Sequence, residues 1–190
     1  MAIKTFTTGE VLTASDTNTF LANAGLVYVT QTTFTTQTGV NIDNCFDSVM
    51  DNYRIVIDLS ALSANDTISW NFRDGSGNVT SANYDWTMLE WFSGSVAAST
   101  SLAQGNSRLQ FAYTTPGYVG GIIDIYSPNN ARNTVWTSNS TSMNGTTWPL
   151  VDRIDGYFRL NTAFTGFRLF TGGGTATMTG RIRVYGYRNA

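Results

Sequence analysis

Apolar and polar positions alternate along most of the chain, with the two-residue period of a strand that has one wet face. Tyr53, Ile55, Ile57 and Leu59 alternate with Arg54 and Asp58, which predicts a half-buried strand. Ile68, Trp70 and Phe72 alternate with Ser69, Asn71 and Arg73, and Asp74-Gly75-Ser76-Gly77 supplies a turn. Further strands are expected over residues 84–92, 108–114, 119–126, 132–137, 154–160, 164–170 and 176–187. In the last of these, Arg181, Arg183 and Tyr185 share one face, with Ile182, Val184 and Gly186 on the other. Gly-, Asn- and Ser-rich turns such as Ser127-Pro128-Asn129-Asn130, Asn144-Gly145 and Gly172-Gly173-Gly174 separate them. Many short strands with no helical stretch between them predict an all-β domain, an antiparallel β-sandwich or jelly roll.

The first 30 residues follow another pattern. Thr13 is a good N-cap, and Asp16 three residues later completes a capping-box-like start. A helix is expected over residues 14–24, with Thr17, Phe20, Leu21 and Ala24 on one face and Gly25 as its stop. One helix of about three turns is marginal alone in water, so it needs a surface to lie on. The expected organisation is an attachment segment over residues 1–30 and a β domain over 31–190. The charge-free Thr/Gln-rich stretch 30–38 reads as a linker or a first outer strand.

Composition sharpens this picture. There is one lysine against ten arginines, two glutamates against eleven aspartates, and 29 threonines. Lys and Glu fill exposed helix faces, whereas Asp favours caps and turns and Thr favours pleated sheet. A net charge of −2 is not the clustered basic face of a nucleic-acid binder. No run approaches the ~18 apolar residues of a membrane-spanning helix, so neither nucleic acid nor membrane insertion is expected. Cys45 is the lone cysteine and reads as a small buried hydrophobe beside Phe46. The chain has no histidine, which removes Ser-His-Asp, Cys-His and the common zinc chemistries. No catalytic, cofactor or metal residue is expected, and the chain reads as a non-enzyme.

Three features carry candidate chemistry. Asp74-Gly75-Ser76-Gly77-Asn78 opens like a calcium loop, but Val79 stands where that loop requires glycine, so a tight hairpin turn is the better reading. Glu90, next to Trp91, is the acid best suited to glycosidase work, although the paired acid such chemistry needs has no identifiable position. Trp136 and Trp148 fall in the polar stretch 129–149, read as exposed loops. They are candidate contacts for a glycan or for an interface, with packing favoured.

Two segments resemble a known family. Phe6-Thr7-Thr8-Gly9-Glu10-Val11-Leu12-Thr13-Ala14, followed by Asn18, Phe20 and Leu21, resembles the opening of many tailed-bacteriophage tail-fibre and minor tail proteins. Phe46 with Met50-Asp51-Asn52-Tyr53-Arg54-Ile55-Val56, then Ile123-Asp124-Ile125-Tyr126-Ser127-Pro128, and the closing Gly180-Arg181-Ile182-Arg183-Val184-Tyr185-Gly186 are similar to that family's strand motifs. The resemblance implies a virion protein, commonly a homotrimer, docked through Phe6, Val11, Leu12, Phe20 and Leu21 onto other virion proteins. The outward β domain would touch a host surface glycan. The long repetitive shaft of a full fibre is missing, which favours a compact tail component or, as the alternative, a capsid decoration protein at joints between major capsid subunits. A glycan-active enzyme is the distant third reading.

Overall fold

A computed structural model describes residues 7–11, 13, 25–92, 94–113, 117–144 and 148–188. Among them every regular element is a strand, and all pairings are antiparallel. In chain order the strands are β1 (Leu26–Gln37), β2 (Gly39–Ile42), β3 (Met50–Leu62), β4 (Asp66–Asp74) and β5 (Gly77–Asn78). They continue with β6 (Tyr84–Phe92), β7 (Ser95–Gln104), β8 (Ser107–Ala112) and β9 (Val119–Tyr126). The last four are β10 (Val135–Asn144), β11 (Trp148–Phe158), β12 (Gly166–Thr171) and β13 (Met178–Arg188).

Two sheets result. The larger has eight strands in the order β1-β13-β3-β9-β10-β11-β6-β7, and the smaller runs β2-β12-β4-β5, with β8 also paired to β4. One hydrophobic core is shared between them. Tyr53, Ile55, Ile57 and Leu59 of β3 are buried, as the alternation predicts, and so are Ile182 and Val184 of β13 and Trp70 and Phe72 of β4. The turn after β4 is a hairpin in which the Ser76 amide donates to Asp74 Oδ1 at 2.8 Å. That is how an Asp side chain closes a tight turn.

Several expectations change. The helix expected over 14–24 lies outside the described residues. The chain is already in β1 at Leu26, paired to Tyr187 of β13, so the β domain begins ahead of the boundary placed at residue 30. The polar stretch 129–149, where a strand is expected only over 132–137, contains the whole of β10. Ser138, Ser140 and Ser142 of that strand are buried, so its polarity marks an inward face rather than a wet one. Strand β7 has no alternating signature, because almost all of it is exposed.

Candidate functional site

The two candidate tryptophans separate. Trp136, on β10, is buried and lies edge-on to Trp70 with ring centroids 5.1 Å apart. Its position opposite Gly156 of β11 explains the fit, since a Cβ on that glycine would sit 2.5 Å from the indole. Trp136 is therefore a core residue, and the surface contact expected of it is corrected. Trp148 is 48% exposed at the start of β11. Among the docking candidates, Val11 is exposed at 78%, while Phe6, Leu12, Phe20 and Leu21 lie outside the described residues.

Trp148 lines a cleft of about 440 Å³ with Trp91, Gly94, Pro149 and Val151. Cross-strand register builds it, because Val151 of β11 stands opposite Trp91 of β6, and Trp91 opposite Val96 of β7. Trp91 is 60% exposed, and Leu89 and Val96 are exposed beside it. Sequence reasoning missed Trp91. The available signal was a strand apolar on both faces, with Tyr84, Trp86 and Met88 on one side and Leu89 and Trp91 on the other. Sugar binding combines flat apolar surface with convergent polar groups, whereas among the described lining residues the indole N–H groups are the only polar side-chain groups. It is better suited to packing against another surface.

The cleft belongs to a larger feature. On the solvent side of the eight-stranded sheet, Ile122, Tyr126, Val135, Val151 and Tyr157 are all exposed. Tyr126, Val135 and Tyr157 stand opposite one another across β9, β10 and β11. Polar side chains interrupt this face: Thr137, Asn139 and Thr141 of β10, the exposed Arg153–Asp155 pair of β11, and Arg54, whose Nε and Nη2 donate to the two oxygens of Asp124 at 2.8 and 2.7 Å. Tyr187 Oη donates to Asp124 Oδ1 at 2.8 Å. Burial tends to raise the Asp124 pKa, but the hydrogen bonds from Arg54 and Tyr187 outweigh it and hold the carboxyl below its ordinary value.

Glu90 has an acid partner that only register reveals: Asp152 lies directly opposite it on β11. Arg108 of β8 bridges them, with Nη2 3.0 Å from Glu90 Oε2 and 3.4 Å from Asp152 Oδ2. A second cleft, of about 290 Å³, is lined by Glu90, Phe92, Arg108, Phe111, Tyr113 and Leu150. Asp152 is buried, its oxygens accept no side-chain hydrogen bond, and burial pushes its pKa up to about 6. The guanidinium between the acids and the inaccessibility of Asp152 do not suit a glycosidase pair, which must flank a sugar. Burial also raises the pKa of the Cys45 thiol far above its ordinary value, leaving it a buried thiol rather than a reactive thiolate. Compared with protein-family models, with curated proteins and with solved structures, this chain matches none.

Proposed function

We propose that this chain is a non-enzymatic structural protein of a tailed-phage particle. The segment ahead of β1 docks it to other virion proteins, and its β domain, a β-sandwich, is displayed as a homotrimer. The observation that carries the reading is the exposed apolar patch at the β6–β7 end of the eight-stranded sheet, where Leu89, Trp91, Val96 and Val151 are exposed beside one another. An antiparallel sheet that faces water on one side normally reads polar there, and contiguous exposed apolar surface marks a protein–protein contact. The Trp91–Trp148 cleft extends that surface and serves the same association. The family resemblance of the first 21 residues and of the strand motifs supplies the setting, a tail component of the virion.

A cryo-EM reconstruction of the intact particle tests this reading. Density for the chain in threes at the tail, with the segment ahead of β1 on a neighbouring protein, is the expected result. Copies at joints between capsid subunits would instead make it a decoration protein. Single copies with the apolar patch open to solvent would overturn the oligomer. Removing residues 1–24, which precede β1, leaves a folded β domain of unchanged copy number that no longer joins particles. An unfolded product would show that the segment belongs to the core.

A further inference from the structure

The eight-stranded sheet ends in two long strands of unusual composition. Strand β1, LVYVTQTTFTTQ, has twelve residues, and β7, SVAASTSLAQ, has ten. Among the described residues each is paired on one side only, β1 to β13 and β7 to β6, so each offers a row of backbone N–H and C=O groups on its other side. Natural sheets blunt such edges with lysine, proline, bulged or very short strands. Neither strand contains a charged residue or a proline; bulges interrupt β1 near Val29 and Thr36 and β7 near Ala103, which leaves Thr30–Phe34 and Ser95–Ser101 as the regular stretches of the two edges. The charges of this sheet lie on inner strands instead, on Arg54, Asp58, Asp124, Arg153, Asp155 and Arg183.

The two edges also match in direction. Seven consecutive antiparallel pairings separate β1 from β7, so they run in opposite senses. A second copy can set its β1 antiparallel to the β7 of the first and continue the twisted sheet across the joint. That alignment brings the Leu26–Tyr28 end of β1 beside the Leu102 end of β7, where all three side chains are exposed. A two-fold axis pairs one edge with itself and leaves the other edge open on both copies. Rotation with any closed ring uses both edges of every copy and leaves none.

We infer that copies of this chain join head to tail, the β7 edge of one adding as a strand to the β1 edge of the next. This rests on the reading of the chain as a self-associating structural protein, and it adds the two sheet edges to the exposed apolar patch as the surfaces without which copies do not join. Backbone ladder bonds supply the attraction, and the absence of charge on both edges leaves no repulsion to overcome.

Single-edge blocks test it. Successive N–H groups of an edge strand alternate between the paired and the open side. Of Ala98→Pro and Ser99→Pro, one therefore blocks the open side of β7 and keeps the ladder to β6. Of Thr32→Pro and Thr33→Pro, one does the same for β1. The variant of each pair that keeps the wild-type circular dichroism spectrum is used, and native mass spectrometry reads the mass. The wild-type chain gives a multiple of 20.7 kDa, and each blocked variant alone gives one copy. An equimolar mixture of the two gives a two-copy complex, because each contributes the edge the other lacks. Amide hydrogen exchange on the unmutated protein gives an independent reading: open-side amides of β7 and β1 are protected in the oligomer and exchange freely on dilution to single copies.

A β1-blocked variant that dimerises by itself would show β7 pairing with β7 and overturn the inference. So would wild-type mass in either variant, or unprotected edge amides in an intact oligomer; the self-association reading would survive both. A wild-type chain that remains a single copy would remove that reading and this inference together.

Discussion

The space between the two sheets is filled in two different ways, and β10 runs through both. At its Val135 end, Trp136 meets Trp70, Tyr84 and Phe72, and Phe72 stacks on Phe164 at 4.1 Å with the rings 5° from parallel. Toward its other end the same face carries Ser138, Ser140 and Ser142. There β8 comes close enough for Ser140 Oγ to donate to the Leu109 carbonyl at 2.7 Å, and Ser142 Oγ to that of Phe111 at 3.0 Å. Gly121 of β9, opposite Ser140, helps, since a Cβ there would lie 3.3 Å from Leu109. Large rings hold the sheets apart at one end, and small hydroxyls let backbone approach backbone at the other. The aromatic end stabilises by area removed from water. The polar end depends more on partners for its buried groups; Gln110 Oε1, Arg108 Nε and both Asp152 oxygens lack a hydrogen bond there, as do the indole N–H groups of Trp70 and Trp136 at the aromatic end.

The difference predicts unequal sensitivity. Trp136→Ala removes the largest side chain of the aromatic end and leaves a cavity bounded by Trp70, Phe72 and Tyr84. Its expected cost is about 3–5 kcal/mol, read by urea unfolding at fixed protein concentration. A loss under about 1 kcal/mol would show that the rings close over the gap and that this end is not tightly packed.

Gly156→Ala probes the same end from the facing strand. The new methyl would lie 2.5 Å from the Trp136 ring and 2.6 Å from the Asp85 carbonyl, so either the indole or the backbone must shift. Overpacking of this kind typically costs about 1–3 kcal/mol, and contacts this short put the expected loss at the upper end. The double variant with Trp136→Phe should recover part of that, because a smaller ring vacates the volume. Thermal unfolding of the three variants decides it; strictly additive losses would mean that the backbone contact dominates.

At the polar end the expected sign reverses. Burial raises the Asp152 pKa to about 6, against about 3.9 in an unfolded chain. Between these values the folded state binds more protons, so this group makes the fold more stable as pH falls from about 6 to about 4, and its charge is a cost above 6. Asp152→Asn should therefore stabilise the protein at pH 8 by about 2 kcal/mol, or somewhat less where Arg108 compensates, and by almost nothing at pH 4. Denaturant midpoints at pH 4, 6 and 8 give the comparison. The difference between variant and wild type cancels the carboxyls that act in the opposite sense, such as Asp124 and Asp85, both held low in pKa with Arg54 and Arg159 as partners. A destabilised variant at pH 8 would mean that the Arg108 ion pair outweighs the burial of the charge.

These two ends also account for what could be read in advance. Alternation located β3, β4 and the inward residues of β13 because there the buried face is apolar. It failed on β10, where serines face inward to serve the carbonyls of β8, a requirement set by a strand nearly thirty residues away in sequence. It failed on β7, where neither face is buried. Trp148 stood out as an exposed aromatic in a polar stretch, while Trp91 joined it only through the register of β6 against β11. The acid facing Glu90 could not be identified from sequence, because the place of Asp152 opposite it is likewise a product of register. Local pattern reports which face is dry only when dry and apolar coincide.

The smallest effect is the most direct test of whether polar satisfaction, rather than small size, shapes the second end. Ser140→Ala keeps the room for β8 and removes the donor to the buried Leu109 carbonyl, with an expected cost of about 1 kcal/mol. Ser138→Ala is the reference, because its hydroxyl reaches Ile154 O at the longer distance of 3.3 Å, and its loss should be roughly half as large. Unfolding midpoints measured side by side at one protein concentration resolve a difference of this size. If the two alanines are equally tolerated, the serines act only as small side chains, and close approach of β8 needs no hydroxyl. If Ser140→Ala alone is costly, the hydroxyls are required because the carbonyls of β8 have turned away from water.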